Sequence, residues 1–327
     1  MAVLVVIPVH GPAPYLESSL RTVVAQTHPF VRVVVVDDRA AADLERRVRA
    51  VAPRAEVLRS RGSGVSAARN TGIASGSEPL IAFLDSDDLW VAHKLEHQVA
   101  ELVRSEQTGV ACSAFLEFYD GEVTARRPRR TSFAEGNALE AVILDDLVIP
   151  STALCRRQLL EAAGGFPDGH AYFEDFALFW RLARMAPFKF SAEPLALYRR
   201  HVAQATQVFS SDVLRARSSL TAQALTEVGA GRRLRRRVEA HDLAVAGHWH
   251  RRQGRRGAAL LCAVRAVERW PGGAEPYALM AASALPPPVE SAARAMSQAR
   301  RAREDLSPAV RAALDADHER PPVARGG

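Results

Sequence analysis

The sequence is poor in cysteine and lysine and has no long apolar run. Its three cysteines, Cys112, Cys155 and Cys262, lie far apart and form no CxxC pair, which argues against a disulfide framework and a structural zinc site. No stretch approaches the roughly 18 consecutive apolar residues of a membrane-spanning helix. The start of the chain lacks the basic region and cleavage site of a signal peptide. We therefore expect a globular protein of the reducing cytoplasm.

The net charge of +6 is unevenly distributed along the chain. Residues 1–200 hold 23 basic and 25 acidic side chains, whereas residues 201–327 hold 20 and 12. No recognition motif accompanies the basic clusters of the second part, so we expect no nucleic-acid partner. Such clusters form a solvated helix face or contact an anionic lipid surface. Peripheral association with the inner face of a membrane is therefore a hypothesis.

Apolar strand-like runs alternate with helical patterns over the first 120 residues, which is typical of βαβ units and a mostly parallel sheet. The strand candidates are Val3–Val9, Val31–Val36, Glu56–Leu58, Leu80–Leu84 and Val110–Phe118. The helix candidates are Tyr15–Gln26, Asp43–Ala50, Val65–Ala74, Ala92–Arg104, Leu159–Ala163 and Glu174–Arg184. These patterns predict an α/β, Rossmann-like fold whose ligands bind beyond the carboxyl ends of the strands.

The composition changes beyond about residue 205, where Ala, Leu and Arg dominate and strand-like runs are lacking. Helical patterns at Leu243–Trp249 and Ala258–Trp270 resemble one tetratricopeptide-like unit. We predict an α/β domain over residues 1–205, a small all-α, Arg-rich region over residues 206–306 and a flexible tail over residues 307–327.

Polar residues end three of the predicted strands. His10 follows the first, Asp37-Asp38 the second and Asp85-Ser86-Asp87-Asp88 the fourth. Carboxylates this close repel one another unless a cation lies between them, and hard oxygen ligands suit Mn²⁺ or Mg²⁺ bound with a phosphate-bearing substrate. The simpler alternative is that Asp87 and Asp88 cap the following helix. The pair after the second strand, Asp37-Asp38, is suited to hydrogen bonding with a nucleobase or ribose. The simpler alternative is that these residues belong to an ordinary acidic loop without a ligand.

Five segments, in this order and spacing, resemble the family 2 glycosyltransferases of the GT-A fold over residues 3–200. They are VVIPVHGPAPYLESSLRTVVAQTH, VVVVDD, GSGVSAARNTGIASG, PLIAFLDSDDLWVAHKLEHQ and GGFPDGHAYFEDFALFWRLAR. The resemblance implies an inverting transfer of a sugar from a nucleotide donor, with an Asp-rich motif near the diphosphate and the metal.

The resemblance also implies roles for individual residues. For the donor, including the base pocket, the ribose and the diphosphate, it implies Pro8, Val9, His10, Asp37, Asp38, Arg69, Asp85 and Ser86. For the metal, Mn²⁺ or Mg²⁺, it implies Asp87, Asp88 and His201. Asp175 would be the catalytic base that removes the acceptor's hydroxyl proton. The alternative for Asp175 is a favourable charge at a helix N-terminus.

Two departures from the family's pattern concern recognition of the nucleobase of the donor. The turn after Asp37-Asp38 reads Arg39-Ala40-Ala41-Ala42-Asp43 instead of a Gly-Ser-Thr-Asp-like turn, and His10-Gly11 replaces the commoner Tyr-Asn. A dinucleotide-binding Rossmann enzyme is excluded because no GxGxxG follows the first strand. The identity of the nucleotide stays open at this point.

The predicted function is transfer of a sugar from a nucleotide-sugar, with a UDP-sugar as the expected donor, to a glycan or lipid-linked glycan acceptor. Such acceptors belong to cell-envelope or exported polysaccharide synthesis. The alternative is a non-catalytic nucleotide-sugar or glycan-binding relative whose helical tail serves assembly.

Overall fold

The computed structural model describes residues 1–119, 121–127, 138–145, 148–170, 172–201, 211–284 and 306–318. The chain divides into two compact units. The first, here called the sheet unit, comprises residues 1–139, 147–201 and 298–327. The second, the helical unit, comprises residues 140–146 and 202–297. The chain therefore leaves the sheet unit twice and returns to it, which differs from the predicted division at residue 205.

Four parallel strands form the first half of the sheet. They are β1 (Val3–Gly11), β2 (Val31–Ala40), β3 (Glu56–Arg59) and β4 (Leu80–Phe83). β1 lies between β2 and β4, and β2 also pairs with β3. The apolar run of β1 is buried without interruption from Val3 to Val9, as expected for a parallel strand covered by helices on both faces.

Five further strands complete the sheet. They are β5 (Leu89–Trp90), β6 (Val110–Tyr119), β7 (Glu122–Arg127), β8 (Leu154–Arg156) and β9 (Phe188–Arg199). The strand order is β3-β2-β1-β4-β8-β6-β9-β5, with β7 paired to β6. Among the described residues, four of the eight pairings are antiparallel. The sheet is therefore mixed where a mostly parallel one is predicted, because apolar periodicity does not encode strand direction.

The predicted helices of the sheet unit are confirmed, with each end shifted by at most two residues. They are α1 (Leu16–Val24), α2 (Leu44–Val51), α3 (Val65–Ile73), α4 (Lys94–Arg104), α6 (Arg157–Ala162) and α7 (Glu174–Met185). α5 (Ala138–Asp145) and a 3₁₀ helix at Pro150–Thr152 lie between α4 and β8. α3 packs closely on β1, since a Cβ on Gly72 would overlap Cγ1 of Val6. This close approach sets the position of α3 beside the strand ends.

The helical unit consists of helices that contact one another through small side chains. They are α8 (Ser211–Glu227), α9 (Arg232–Arg252), α10 (Arg256–Arg269) and α11 (Ala274–Ala284). Ala244, Ala263 and Leu279 form its buried cluster. The all-helical prediction is confirmed for residues 211–284, whereas residues 285–305 lie outside the described residues. None of the helices that the structure describes is long and apolar enough to cross a membrane.

A helix, α12 (Pro308–His318), occupies the first part of the segment predicted to be a flexible tail. Val310, Ala313 and Leu314 are buried in an apolar cluster with Leu89 and Phe118 of the sheet. Because these three residues are spaced three and four apart along one helix face, they pack together once the sheet is present. The expectation of a flexible tail does not hold for residues 308–318, and residues 319–327 lie outside the described part of the chain.

Candidate functional site

The acidic loop, residues 85–88, connects β4 to β5 at the edge where β1, β2 and β4 end. The parallel register aligns these strands, so that Val6 of β1 lies beside Phe83 of β4 and Val9 beside Asp37 of β2. The three predicted polar strand ends are therefore brought to one edge of the sheet. Pro8 and Val9 are buried in β1, and Ser86 is half-buried within the loop.

Asp88 is fully buried and has partners inside the protein for both carboxylate oxygens. The hydroxyl of Ser151 donates to Oδ2 at 2.6 Å, and the backbone N–H of Arg199 donates to Oδ1 at 3.0 Å. Burial raises the pKa of this carboxyl well above its ordinary value, and the neighbouring charges of Asp87 and Asp85 raise it further. Asp88 is predicted as a metal ligand, but the structure directs its carboxylate inward, where it joins the loop to β9 and to the 3₁₀ helix.

Asp87 and His201 face each other at the exposed side of the loop. Oδ2 of Asp87 lies 2.9 Å from Nε2 of His201, and their side chains are 24% and 17% exposed. The His201 ring also lies 5.1 Å from the ring of Tyr15, centroid to centroid. The structure thus brings together two of the three residues predicted for the metal, although they are 114 positions apart in the sequence.

Arg69 joins the acidic loop to the start of α7. Its Nη2 donates to Oδ1 of Asp85 at 2.7 Å and its Nη1 donates to Oε1 of Glu174 at 2.8 Å. Burial would lower the pKa of the guanidinium, but Asp85 and Glu174 raise it above its ordinary value. Arg69 is predicted near the donor diphosphate, but it is only 3% exposed. A buried guanidinium requires carboxylate partners, and here they hold Arg69 as an internal link.

Asp175 lies half-buried at the first turn of α7, next to Glu174. Its Oδ1 accepts a hydrogen bond from the backbone N–H of Phe176 at 2.8 Å. Phe173, the residue before Glu174, has a left-handed backbone with φ of 63°. Such a conformation in a bulky residue costs about 1–3 kcal/mol and persists where its surroundings enforce it. Because Glu174 is bonded to Arg69, the position of Asp175 is set relative to the acidic loop.

The ends of β1 and β2 meet on the other side of the site. Nδ1 of His10 lies 2.7 Å from the backbone oxygen of Asp38, and the imidazole is 69% exposed. Oδ2 of Asp38 accepts from the N–H of Gly64 at 2.8 Å, and Oδ1 of Asp37 accepts from the N–H of Ala40 at 2.7 Å. Both aspartates therefore order the loops around this edge, and His10 is the exposed member of the group.

A cavity of about 660 Å³ opens beside Asp38, at the N-terminus of α3. Residues 61–67 form one side of it, and Asp168, Gly169 and His170 form part of the other. The loop before Asp168 is held against α3 by Asn70, whose side chain accepts from the N–H of Phe166 at 2.9 Å and donates to its oxygen at 2.8 Å. The first and second halves of the sheet unit thus share the walls of this cavity.

Three residues that organise the site are not predicted from the sequence: Ser151, Arg199 and Asp317. The hydroxyl of Ser151 also accepts from the N–H of Asp85 at 3.2 Å, so Ser151 holds the loop at two points. Arg199 lies two residues before His201 and donates from Nε to the backbone oxygen of Asp87 at 2.7 Å. The position of Ser151 at the start of a 3₁₀ helix is visible in the sequence as Pro150-Ser151-Thr152, but no local signal marks Asp317.

Comparison with known proteins shows which proteins this chain resembles. Residues 4–164 match the family model described as Glycosyl transferase family 2. An uncharacterized glycosyltransferase of Rickettsia prowazekii (strain Madrid E) is 24% identical over 208 residues, and one of Nostoc sp. is 29% identical over 212 residues. Each alignment covers 62% of this chain, which spans 65% of the length of each of these two curated relatives.

A shorter alignment links this chain to a protein whose name states a reaction. It is the UDP-Glc:alpha-D-GlcNAc-diphosphoundecaprenol beta-1,3-glucosyltransferase of Escherichia coli, 30% identical over 105 residues, covering 32% of this chain and 42% of that protein.

Among solved structures, S. aureus TarS in complex with UDP-GlcNAc superposes with a TM-score of 0.58 at 15% identity, covering 82% of this chain and 81% of that chain. At this identity the likeness shows the fold alone, and it confirms the predicted GT-A fold. Over residues 4–164, about half of its length, this chain belongs to glycosyl transferase family 2.

Proposed function

We propose that this protein is an inverting glycosyltransferase that moves a sugar from a nucleoside diphosphate, with UDP as the expected nucleotide, to an acceptor hydroxyl. The link through Arg69 carries the proposal. One guanidinium is hydrogen-bonded to Asp85 of the acidic loop and to Glu174, the neighbour of Asp175. The donor-side carboxylates and the proposed base therefore belong to one site.

In this mechanism Asp175 accepts the proton of the acceptor hydroxyl while that oxygen attacks the anomeric carbon. The bond between the anomeric carbon and the diphosphate oxygen breaks, and its electron pair leaves with the nucleoside diphosphate. Attack opposite to the leaving group inverts the anomeric configuration. General-base assistance of this kind contributes about 10²–10⁴-fold to the rate.

Asp87 and His201 fit a divalent cation, with Mn²⁺ or Mg²⁺ as the candidates. They offer a carboxylate oxygen and an imidazole nitrogen that already lie 2.9 Å apart at the exposed side of the loop. Within the described ranges, no group of three or more His, Cys, Asp or Glu side chains is arranged to hold a metal alone. The pair therefore suits an ion that binds together with diphosphate oxygens. When bound, such an ion would stabilise the charge that develops on the departing diphosphate.

A panel of nucleotide-sugars tests the proposal. Binding is measured by calorimetry with UDP-, GDP- and dTDP-sugars, each in the presence of Mn²⁺, of Mg²⁺ or of a chelator, and slow donor hydrolysis is followed as release of the nucleoside diphosphate. We expect binding of one nucleotide class that the chelator abolishes. A folded protein that binds no donor with either metal would contradict the proposed function.

The non-catalytic alternative makes a different prediction in the same panel. A relative that only binds nucleotide-sugars would bind its donor with metal but would neither hydrolyse it nor transfer the sugar to any acceptor. The position of Asp175 beside the Arg69 link favours the enzyme, because a binding protein has no use for a base at that place. Substitution of Asp175 separates the two, as set out in the Discussion.

A lipid-linked or glycan acceptor is the second part of the proposal. It is supported by the E. coli relative, whose name describes action on a diphosphoundecaprenol-linked sugar. The helical unit supplies a structural reason. Leu260, Leu261 and Val264 of α10 are 36%, 52% and 37% exposed, and Arg255 and Arg256 are exposed at the start of the same helix. An apolar stripe next to basic residues suits the surface of an anionic membrane.

Vesicle flotation tests this surface. At low salt we expect the full-length protein to bind phosphatidylglycerol vesicles but not phosphatidylcholine vesicles, and the double variant Leu260→Ser/Leu261→Ser to lose most of the binding. The variant Arg255→Gln/Arg256→Gln should weaken binding in a salt-dependent manner. Failure of the parent protein to float with either lipid would remove the membrane hypothesis without affecting the proposed reaction.

A further inference from the structure

The C-terminal helix α12 packs directly behind the acidic loop. Its buried residues Val310 and Leu314 belong to the same apolar cluster as Leu89 of β5, the residue that follows Asp88. The N–H of Val91, two residues further on, is bonded to the oxygen of Leu195 in β9 at 3.0 Å. One face of α12 therefore covers the strand that begins where the loop ends.

A bidentate ion pair connects α12 to β9. Nη1 and Nη2 of Arg199 each donate to one carboxylate oxygen of Asp317, both at 2.7 Å. Arg199 and Asp317 are only 2% and 8% exposed. A planar guanidinium with both terminal nitrogens on one carboxylate has a fixed orientation, so Asp317 determines how Arg199 is placed.

Other donors of Arg199 hold the acidic loop. Its Nε donates to the backbone oxygen of Asp87 at 2.7 Å, and its backbone N–H donates to Oδ1 of Asp88 at 3.0 Å. The guanidinium carbon lies 4.2 Å from the ring centroid of Tyr15 and 4.5 Å from that of Phe118. Arg199 thus contacts both rings and links α12 to the acidic loop.

The loss of the Asp317 carboxylate would disturb the loop for an electrostatic reason. A buried guanidinium without its carboxylate is costly, and the side chain would move toward other acceptors or toward water. Asp87 and Asp88 already contact Arg199, Asp87 through its backbone oxygen and Asp88 through the backbone N–H of Arg199. Movement of Arg199 would break its hydrogen bond to the backbone oxygen of Asp87 and change the orientation of the Asp87 carboxylate.

We propose that Asp317 is a positioning residue of the donor site: through Arg199 it holds the acidic loop in the conformation in which Asp87 faces His201 and Asp88 accepts from the backbone N–H of Arg199. The helix α12 therefore supports the proposed donor site, although it follows the helical unit in the sequence. This inference rests on the proposed function for its consequence in binding, but its structural part stands independently of any ligand.

The first experiment measures the loop without a ligand. Amide hydrogen exchange is compared in the parent protein and in Asp317→Asn, with Asp315→Asn as the matched control, since Asp315 is an exposed acid on the same helix. We expect faster exchange at the amides of Asp88 and Arg199 in Asp317→Asn, and unchanged exchange there in Asp315→Asn. Unchanged protection of both amides in Asp317→Asn would overturn the inference whatever the protein binds.

The second experiment measures UDP binding in the presence of Mn²⁺. We expect Asp317→Asn to bind UDP about tenfold more weakly or worse, in the range found for residues that orient metal ligands. Asp317→Glu should lie between it and the parent because it keeps the charge. If Asp317→Asn folds too poorly to assay, the comparison is made with Asp317→Glu. Affinities equal to that of Asp315→Asn in every folded variant would overturn the inference, whereas a parent protein that binds no nucleotide contradicts the proposed function instead.

Discussion

The sheet unit and the helical unit are packed in different ways. The sheet unit buries charged side chains: Arg69, Lys94 and Arg199 are each 3% exposed or less. Among its described residues the helical unit buries one charged side chain, Arg217, which pairs with Asp242. Its helices pack mainly through alanines, with Ala244, Ala259 and Ala263 fully buried. Alanine contacts bring helices together with little specificity, whereas a buried charge costs free energy unless its partners are well placed.

The difference in packing shows which charged side chains the fold holds in a fixed position. In the sheet unit, Arg69 and Arg199 each hold residues of the acidic loop, so their burial serves the arrangement of the proposed site. In the helical unit the arginines at residues 251–256 are exposed, and substitutions there should change surface properties. The predictions below test this contrast, beginning with the largest expected effect.

Asp175→Asn should lower the turnover of sugar transfer by about 10²–10⁴-fold, because the amide cannot accept the acceptor proton. Donor affinity should stay close to that of the parent. Both quantities come from steady-state kinetics and from calorimetry with the donor found in the panel. The matched control is Glu268→Gln, an exposed acid on α10 of the helical unit. Equal turnover of Asp175→Asn and the parent would refute the base, and an equal loss in Glu268→Gln would remove the contrast between the units.

Lys94 predicts a pH dependence of stability. Burial lowers the pKa of its ammonium from 10.5 to about 7. Below pH 7 the ammonium is charged in both the folded and the unfolded protein, so the folded protein carries the full free-energy cost of burying the charge. Between pH 7 and 10.5 the unfolded chain binds a proton that the folded chain lacks, so the free energy of unfolding should rise by up to about 1.4 kcal/mol per pH unit. The variant Lys94→Met should lose this contribution.

The measurement is the difference in the free energy of unfolding in urea between the parent and Lys94→Met from pH 6.5 to 9. Taking the difference removes the contribution of buried thiols to the pH dependence. Burial raises the pKa of Cys112 to about 12, and Cys112 is present in both proteins. Lys189→Met, at the chain's other lysine, is the control. A difference between the parent and Lys94→Met that does not change with pH would mean that Lys94 is charged in the folded state throughout this range.

Asp88→Ala and Asp87→Ala should differ although the residues are adjacent. Asp88→Ala leaves the Ser151 hydroxyl and the Arg199 N–H without their acceptor, at about 1–3 kcal/mol for each buried group. Asp87→Ala should cost less than about 1 kcal/mol, yet it should abolish metal-dependent UDP binding. Urea unfolding and calorimetry measure the two effects. Equal destabilisation by both substitutions would contradict the division of roles between them.

Ala263→Leu should destabilise the helical unit by about 1–3 kcal/mol, because the added carbons have no room beside Ala244 and Leu279. Leu261→Ala, at an exposed position of the same helix, should change stability by at most about 0.5 kcal/mol. Thermal unfolding followed by circular dichroism reports both, and UDP binding at a temperature where the protein is folded should equal that of the parent. A weaker affinity in Ala263→Leu would show that the helical unit supports the donor site.

Much of the fold can be predicted because the first strands and helices of the sheet unit carry strong periodicity. β1 is an apolar run closed by Pro8-Val9-His10, and α1, α3 and α4 have bounds close to those predicted. The strands β5, β7, β8 and β9 and the helices α5 and α12 are not predicted. A run of two or three residues, such as Leu89-Trp90, has no periodicity of its own. β5 becomes a strand because β9 supplies its hydrogen-bonding partners, and β8 becomes one because β4 and β6 do.

The amino-acid sequence by itself determined the α/β order, the acidic loop at a strand end and the family to which the chain belongs, because these depend on residues that are neighbours in the chain. Tertiary structure alone decided which carboxylate faces which partner. Asp87 and Asp88 are adjacent, but one lies beside His201 and the other is bonded to Ser151 and Arg199. Asp317 reaches the site from 118 positions beyond Arg199. Burial and hydrogen-bond geometry assign these roles, and both arise only when distant segments of the chain pack together.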